Sequence, residues 1–173
     1  GETENQMEML QKLQLSENEF IELKHYCDEK GILFLSTPFD VDSFHFLRSI
    51  GIKMVKIPSG EITNYPLLRE IGKSGLKVLL STGMSQLHEV VTAVDTLKEF
   101  GTKEIVVLQC NTEYPTPVSD ANVKCMLTLG KETGCSFGYS DHTCGNEVLI
   151  AAVALGATVV EKHFTLDKTM EGP

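Results

Sequence analysis

The chain is short of positive charge: 15 lysines and arginines against 24 aspartates and glutamates give a formal net charge of −9 over 173 residues. A general nucleic-acid binder needs a basic face to displace counterions from phosphates, so that class is excluded. A small anionic substrate is not, because a few local lysines and backbone amides suffice to hold one. Paired cysteines are also missing. Cys27, Cys110, Cys125, Cys135 and Cys144 are odd in number and nowhere spaced C-x-x-C, which argues for reduced thiols and against a disulfide framework. No stretch reaches the roughly 18 consecutive apolar residues of a membrane-spanning helix. The opening "GETENQMEML" does not read as a signal peptide. A cytoplasmic protein with no membrane partner is therefore the expectation. Nor is there a G-x-G-x-x-G or Walker sequence, the usual mark of an open, doubly wound nucleotide-binding sheet.

What is present is a repeat. Hydrophobic content of 42% with 23% charged residues is ordinary for a globular chain, and the length suggests one domain. Six short apolar runs read as strands: 32–37, 53–59, 77–82, 104–110, 136–142 and 158–164. They are rich in Val, Ile and Leu and barely alternate, as strands covered on both faces do. Between them lie amphipathic helical patterns over 17–30, 41–50, 64–74, 86–100, 118–132 and 145–156. In 86–100 the residues Leu87, Val90, Val91, Val94 and Leu97 recur at helical spacing. Ser16 and Glu19 have the spacing of a capping box for the 17–30 helix.

The residues ending those strands, Thr37, Ser59, Ser81, Cys110, Ser140 and His163, follow one another at intervals of 22, 22, 29, 30 and 23 positions. A βα repeat of this kind forms a parallel sheet with right-handed crossovers. Polar residues at every strand end favour the α/β architecture with one chemical face, a (β/α)8 TIM barrel. Only about six of its βα units are visible, so the expectation is a partial barrel over residues 1–173.

In such a barrel the strand ends converge. The hydroxyls of Thr37, Ser59, Ser81, Thr82 and Ser140, with the compact charge of Lys56, suit a phosphate or carboxylate; singly, each hydroxyl also reads as a turn residue or helix cap. His142 and His163, at neighbouring strand ends, read as two imidazole ligands of one metal ion with coordination positions left open. Asp141 and Glu161 then read as carboxylates that orient those rings. The competing reading is that each histidine only hydrogen-bonds locally. Glu61 reads equally as a group that positions water and as an acidic residue at a helix N-terminus. His25, His45 and His88 fall in helical patterns and read as surface or groove residues, and Cys110 as packing.

The segments "FLSTPFD", "KIPSGEITNYPLL", "LLSTGMS", "LQCNTEYPTP", "GYSDHT", "AAVALGATVVEKHFTLDK" and the terminal "GP", in this order, resemble the sialic acid synthase family: the bacterial N-acetylneuraminate synthases and their legionaminate and pseudaminate relatives. The resemblance implies condensation of phosphoenolpyruvate with an N-acetylated aminosugar, N-acetylmannosamine or a 2,4-diacetamido-trideoxy hexose. The product is a nine-carbon 2-keto acid, with phosphate released. It implies His142 and His163 as ligands of a divalent metal, Mn²⁺ with Mg²⁺ or Co²⁺ as alternatives. Lys56, Ser59, Ser81 and Ser140 match positions around phosphoenolpyruvate. Glu61 matches a carboxylate that orients the attacking water, and Thr37, Phe39 and Tyr114 match positions near the sugar or the reacting carbons. Thr112 stands where some members carry a phosphate-contacting Asn.

Members of that family also have two earlier barrel strands bearing a glutamate and a lysine of the site, an eighth strand, and a C-terminal antifreeze-like domain. That domain reaches into the partner's site in a domain-swapped homodimer. On this likeness the chain is the central part of a catalytic barrel, expected to be inactive alone. The rival readings are another phosphoenolpyruvate-dependent 3-deoxy sugar acid synthase and a non-catalytic barrel fragment.

Overall fold

The computed structural model describes residues 11–170; the terminal "GP" at 172–173 and the first ten residues lie outside the described residues. Five strands form one parallel sheet in the order of the chain: β1 (Met54–Ile57), β2 (Lys77–Ser81), β3 (Ile105–Gln109), β4 (Ser136–Asp141) and β5 (Val160–Lys162). Six α-helices lie wholly among the described residues, after the helical residues 11–13: α1 (Glu17–Lys30), α2 (Val41–Ser49), α3 (Tyr65–Ser74), α4 (Leu87–Phe100), α5 (Cys125–Thr133) and α6 (Glu147–Ala154). Each strand pairs only with its sequence neighbours, and a helix runs between successive strands. This is a curled part of a (β/α)8-type barrel.

Strand alternation divides the core into two layers. Val55 and Ile57 of β1, Val78 and Leu80 of β2, and Ile105 and Val107 of β3 pack outward with Leu67, Leu68 and Ile71 of α3 and with Val90, Val94 and Leu97 of α4. The intervening residues Leu79, Val106 and Leu108 form a second cluster on the other face. Both faces are therefore covered over the middle of the sheet, which is why these runs do not alternate in hydropathy. Lys56, Ser81, Ser140 and Glu161 belong to this second face, Lys56 level with Leu79, Ser81 level with Leu108, and the Ser140–Glu161 pair nearer the strand ends.

Local signals set most element limits. Ser16 accepts from the Glu19 amide while Glu19 receives the Ser16 amide at 2.6 Å, completing the capping box of α1. Asp40 caps α2 through the Ser43 amide at 2.7 Å, and Asn64 caps α3 through the Leu67 amide. Gly138 in β4 meets the neighbouring strand closely, since a Cβ there would collide with the Val159 carbonyl.

Two expectations fail. The run 32–37 is not a strand, so the described sheet has five strands rather than six. Its backbone joins no ladder, and Ile32 and Leu33 remain 62% and 50% exposed while Phe34 alone packs inward. An extended run becomes a strand only when a neighbour supplies its hydrogen bonds. The 118–132 helix is also broken. A 3-10 turn, Val118–Asp120, is followed by Asn122 at φ 46°, a left-handed conformation no α-helix admits, and α5 starts only at Cys125.

Candidate active site

At the C-terminal ends of the strands lies a cleft of about 200 Å³ whose walls include Lys56, Ser59, Ser81, Asn111, Ser140 and Glu161. It adjoins a wider hollow of about 730 Å³ that contains His163 and Lys162, and the two share Tyr114 and His142. Period-2 alternation puts Lys56, Ser81 and Ser140 on the inner face of three strands, and the register steps them towards the strand ends in turn: Lys56 is level with Leu79, Ser81 with Leu108, and Ser140 with Glu161.

Charge in the cleft is organised by Glu161. Its Oε1 accepts from Lys56 Nζ at 3.2 Å and from Ser140 Oγ at 2.7 Å. The Lys56 side chain is only 10% exposed, and burial at that level calls for a counter-charge, which Glu161 supplies. Ser59 accepts the Gly83 amide at 2.9 Å and lies 3.2 Å from Cys110 Sγ. Gly83 is glycine for a local reason: a Cβ would stand 3.0 Å from both Ser59 Oγ and Cys110 Sγ. Ser81 Oγ and Asn111 Oδ1 are buried with no hydrogen-bond partner. Buried polar atoms are nearly always satisfied, so two orphans on one cleft wall mark a place where a polar ligand belongs.

The histidines sit at the rim. His142 Nδ1 is 2.7 Å from the Asn111 carbonyl, which assigns the ring proton to Nδ1 and leaves Nε2 free. Burial, with the nearby His163, lowers the pKa of His142 and keeps the ring neutral at neutral pH. The two ring centres are 5.5 Å apart, and Tyr114 packs on His142 at 3.9 Å and against His163 at 5.6 Å. Partial burial, then Cys110 and Glu161, raise the Tyr114 pKa, so its phenol stays protonated. Among the described residues no group of three or more His, Cys, Asp or Glu gathers around one point. Two imidazoles with ring centres 5.5 Å apart, one fixed through its second nitrogen, nevertheless fit a divalent ion whose remaining positions would be filled by water and substrate.

Asp141 and Glu161 are not the ring-orienting carboxylates that the sequence suggested. Glu161 is engaged by Lys56 and Ser140. Asp141 receives Lys162 Nζ at 2.6 Å and the Thr143 amide at 2.9 Å. A backbone carbonyl, Asn111, orients His142 instead. Thr82 donates to the Leu108 carbonyl at 3.0 Å and is used within the sheet.

The fold brings Lys56, Ser59, Ser81, Thr112, Tyr114, Ser140 and His142 to the cleft, with His163 in the adjoining hollow. Thr37 is half-buried and Phe39 is 62% exposed, in the loop before α2, and neither lines the cleft. Glu61 occupies the 3-10 turn Ser59–Glu61 and holds the capping residue Asn64 at 2.7 Å, also off the cleft wall. His25, His45 and His88 are exposed on helices. Sequence reasoning missed Asn111 and the place of Glu161 inside the cleft. The second was legible, because Glu161 is two residues before His163 and shares its strand face. The first was not, since a carbonyl that binds a histidine leaves no mark on residue type.

Comparison with known proteins is consistent with this geometry. The chain matches the NeuB family over residues 1–173. It is 49% identical over 172 residues to the N,N'-diacetyllegionaminic acid synthase of Campylobacter jejuni, covering 98% of this chain and 52% of that protein. It is 46% identical over 176 residues to the enzyme of the same name from Legionella pneumophila, covering 99% and 49%. The crystal structure of the N-acetylneuraminic acid synthetase of Leptospira borgpetersenii, in complex with citrate, superposes with a TM-score of 0.92 at 38% identity, over 99% of this chain and 60% of that one. The chain thus spans about half the length of the curated relatives it matches.

Proposed function

The chain belongs to the NeuB family, and from that membership and the cleft we propose that it is the central part of the barrel domain of a sialic-acid-type synthase. The reaction joins C3 of phosphoenolpyruvate to the aldehyde carbon of an N-acetylated aminosugar. Water adds at the cationic C2 that results, and phosphate leaves, giving a nine-carbon 2-keto acid. Among the two sugars considered, the 2,4-diacetamido-trideoxy hexose is favoured over N-acetylmannosamine, on the likeness to two N,N'-diacetyllegionaminic acid synthases.

One observation carries this reading: Lys56, Ser140 and the unpartnered Ser81 hydroxyl converge in one cleft beside a pair of histidines. The anion of phosphoenolpyruvate takes Lys56, Ser59, Ser81 and Ser140, competing with Glu161 for the first and last of them. The wider hollow, walled by Tyr114, receives the sugar, and Thr112 contacts the phosphate in the narrow cleft. The positioning of the water is assigned to Glu61 on the family resemblance alone, since its carboxylate here holds Asn64 off the cleft wall. His142 and His163 hold a divalent ion, Mn²⁺ before Mg²⁺ or Co²⁺. When bound, that ion supplies Lewis-acid polarisation of the sugar aldehyde. The whole protein is proposed to be a cytoplasmic, domain-swapped homodimer.

The test is phosphate release by the full-length protein with Mn²⁺, phosphoenolpyruvate and, in turn, each aminosugar and a phosphorylated aldose such as arabinose 5-phosphate. Release is expected with an aminosugar and not with the phosphorylated aldose, and His163→Ala should abolish it. Release with the phosphorylated aldose alone would move the protein to the 3-deoxy sugar acid synthases. Full activity in the His163→Ala protein would remove the histidine pair from the mechanism.

A further inference from the structure

The two histidines directly follow the ends of adjacent strands, and the residue before each one faces the residue before the other: Asp141 and Lys162 are partners in the β4–β5 register. Because side chains alternate along a strand, this pair lies on the opposite face from Ser140 and Glu161, the register partners one step earlier. The Asp141 side chain is fully buried, and Lys162 Nζ contacts its Oδ2 at 2.6 Å. The same ammonium donates to the Thr143 carbonyl at 2.8 Å. Asp141 Oδ1 in turn accepts the Thr143 amide at 2.9 Å. His142 is therefore the middle residue of an Asx-type turn closed by Asp141, and Lys162 ties both shoulders of that turn to the strand that carries His163.

We propose that Lys162, braced on Asp141 and Thr143, is a positioning residue that sets the distance and angle between His142 and His163, and so the affinity of the site for a divalent metal. The reason is geometric. Both histidines directly follow strand ends: β4 stops at Asp141, β5 stops at Lys162, and His163 is already exposed. His142 has two constraints of its own besides this turn, the Asn111 carbonyl on its ring and the Thr116 amide on its carbonyl at 2.9 Å. For His163 the strand pairing and the Lys162 brace are what relate its backbone to His142. Supports of this kind around metal ligands commonly change affinity by about 10- to 100-fold when removed. This inference rests on the reading of the two histidines as a metal-holding pair.

The test uses metal-stripped full-length protein, with Mn²⁺ titrated by electron paramagnetic resonance and Co²⁺ followed by its visible absorption, both without substrates. Lys162→Met should weaken Mn²⁺ by tenfold or more and shift the Co²⁺ bands, while Lys162→Arg, which keeps charge and two donors, should restore most of the affinity. Asp141→Asn, which keeps an acceptor for the Thr143 amide but removes the charge, serves if Lys162→Met fails to fold; a several-fold loss is expected. Wild-type Mn²⁺ affinity in either folded variant, with His163→Ala losing the ion, overturns the brace alone. Wild-type affinity in His163→Ala overturns the metal reading beneath it.

Discussion

Lys56 has a carboxylate for its partner where a substrate anion is proposed to sit. Its ammonium is largely withdrawn from water, and Glu161 at 3.2 Å offsets the cost of that burial. An incoming anion replaces one counter-charge by another, so it meets a lysine already desolvated and aimed. Charge-assisted contacts of this type contribute about 1.5–3 kcal/mol, which corresponds to roughly ten- to hundredfold in affinity. Lys56→Ala in the full-length protein should therefore raise the KM for phosphoenolpyruvate by about tenfold or more and leave the KM for the aminosugar nearly unchanged. Steady-state kinetics with each substrate varied in turn decides it. A rise confined to the aminosugar would assign Lys56 to the other pocket.

At the scale of one element, β4 shows how strand and helix layers are locked together behind the cleft. Tyr139 is 1% exposed, and its hydroxyl donates to the Ala121 carbonyl at 2.5 Å, pinning the segment before α5 to the strand that bears Ser140 and leads into His142. Burial, followed by the Asp141 charge, pushes its pKa up to about 12. A phenol whose folded pKa is raised is stabilising in its neutral form. That contribution is complete below the unfolded value of about 10 and is lost as pH climbs through about 12. Two consequences follow for Tyr139→Phe. At neutral pH it should lower stability by about 1–3 kcal/mol, because the Ala121 carbonyl is left unpaired. Between pH 10 and 12 it should lose less stability than the wild type, so the two unfolding curves converge. Urea midpoints across that range measure both. A constant gap at every pH would mean that Tyr139 ionises no differently when folded.

For the whole molecule, the described sheet has two open edges, since β1 pairs only with β2 and β5 only with β4. Phe164 and Leu166, beyond β5, are 90% and 91% exposed, and Val160 within it is 45% exposed. Unpaired edges beside apolar side chains invite association, and five parallel strands do not close an eight-stranded barrel. Residues 1–173 produced alone should therefore aggregate or form irregular oligomers. They should release no phosphate from phosphoenolpyruvate and N-acetylmannosamine in the presence of Mn²⁺, because small misplacements of reacting groups cost about a hundredfold in rate. Light scattering and a phosphate assay on that polypeptide check both outcomes. A monodisperse monomer that turns over would show that this portion is a complete catalytic unit.

Much of this was determined by the sequence itself, for a local reason. Unalternating Val, Ile and Leu runs followed by amphipathic helices specify βα units, and parallel pairing then sends every strand's C-terminal residue to one side. Lys56, Ser59, Ser81, Ser140 and His142 were legible as neighbours on that account, and His163 as flanking them. Capping signals such as Ser16 with Glu19 were equally legible, because they act within one turn. Tertiary structure alone decided the rest. Whether 32–37 is a strand depends on a partner for its backbone, and its apolar residues look the same with or without one. Lys56 finds Glu161 across 105 positions. His142 is held by the Asn111 carbonyl rather than by Asp141, which Lys162 has already taken. Such pairings are settled by which groups the folded chain brings within 3 Å or so of each other, and distance along a sequence carries no measure of that.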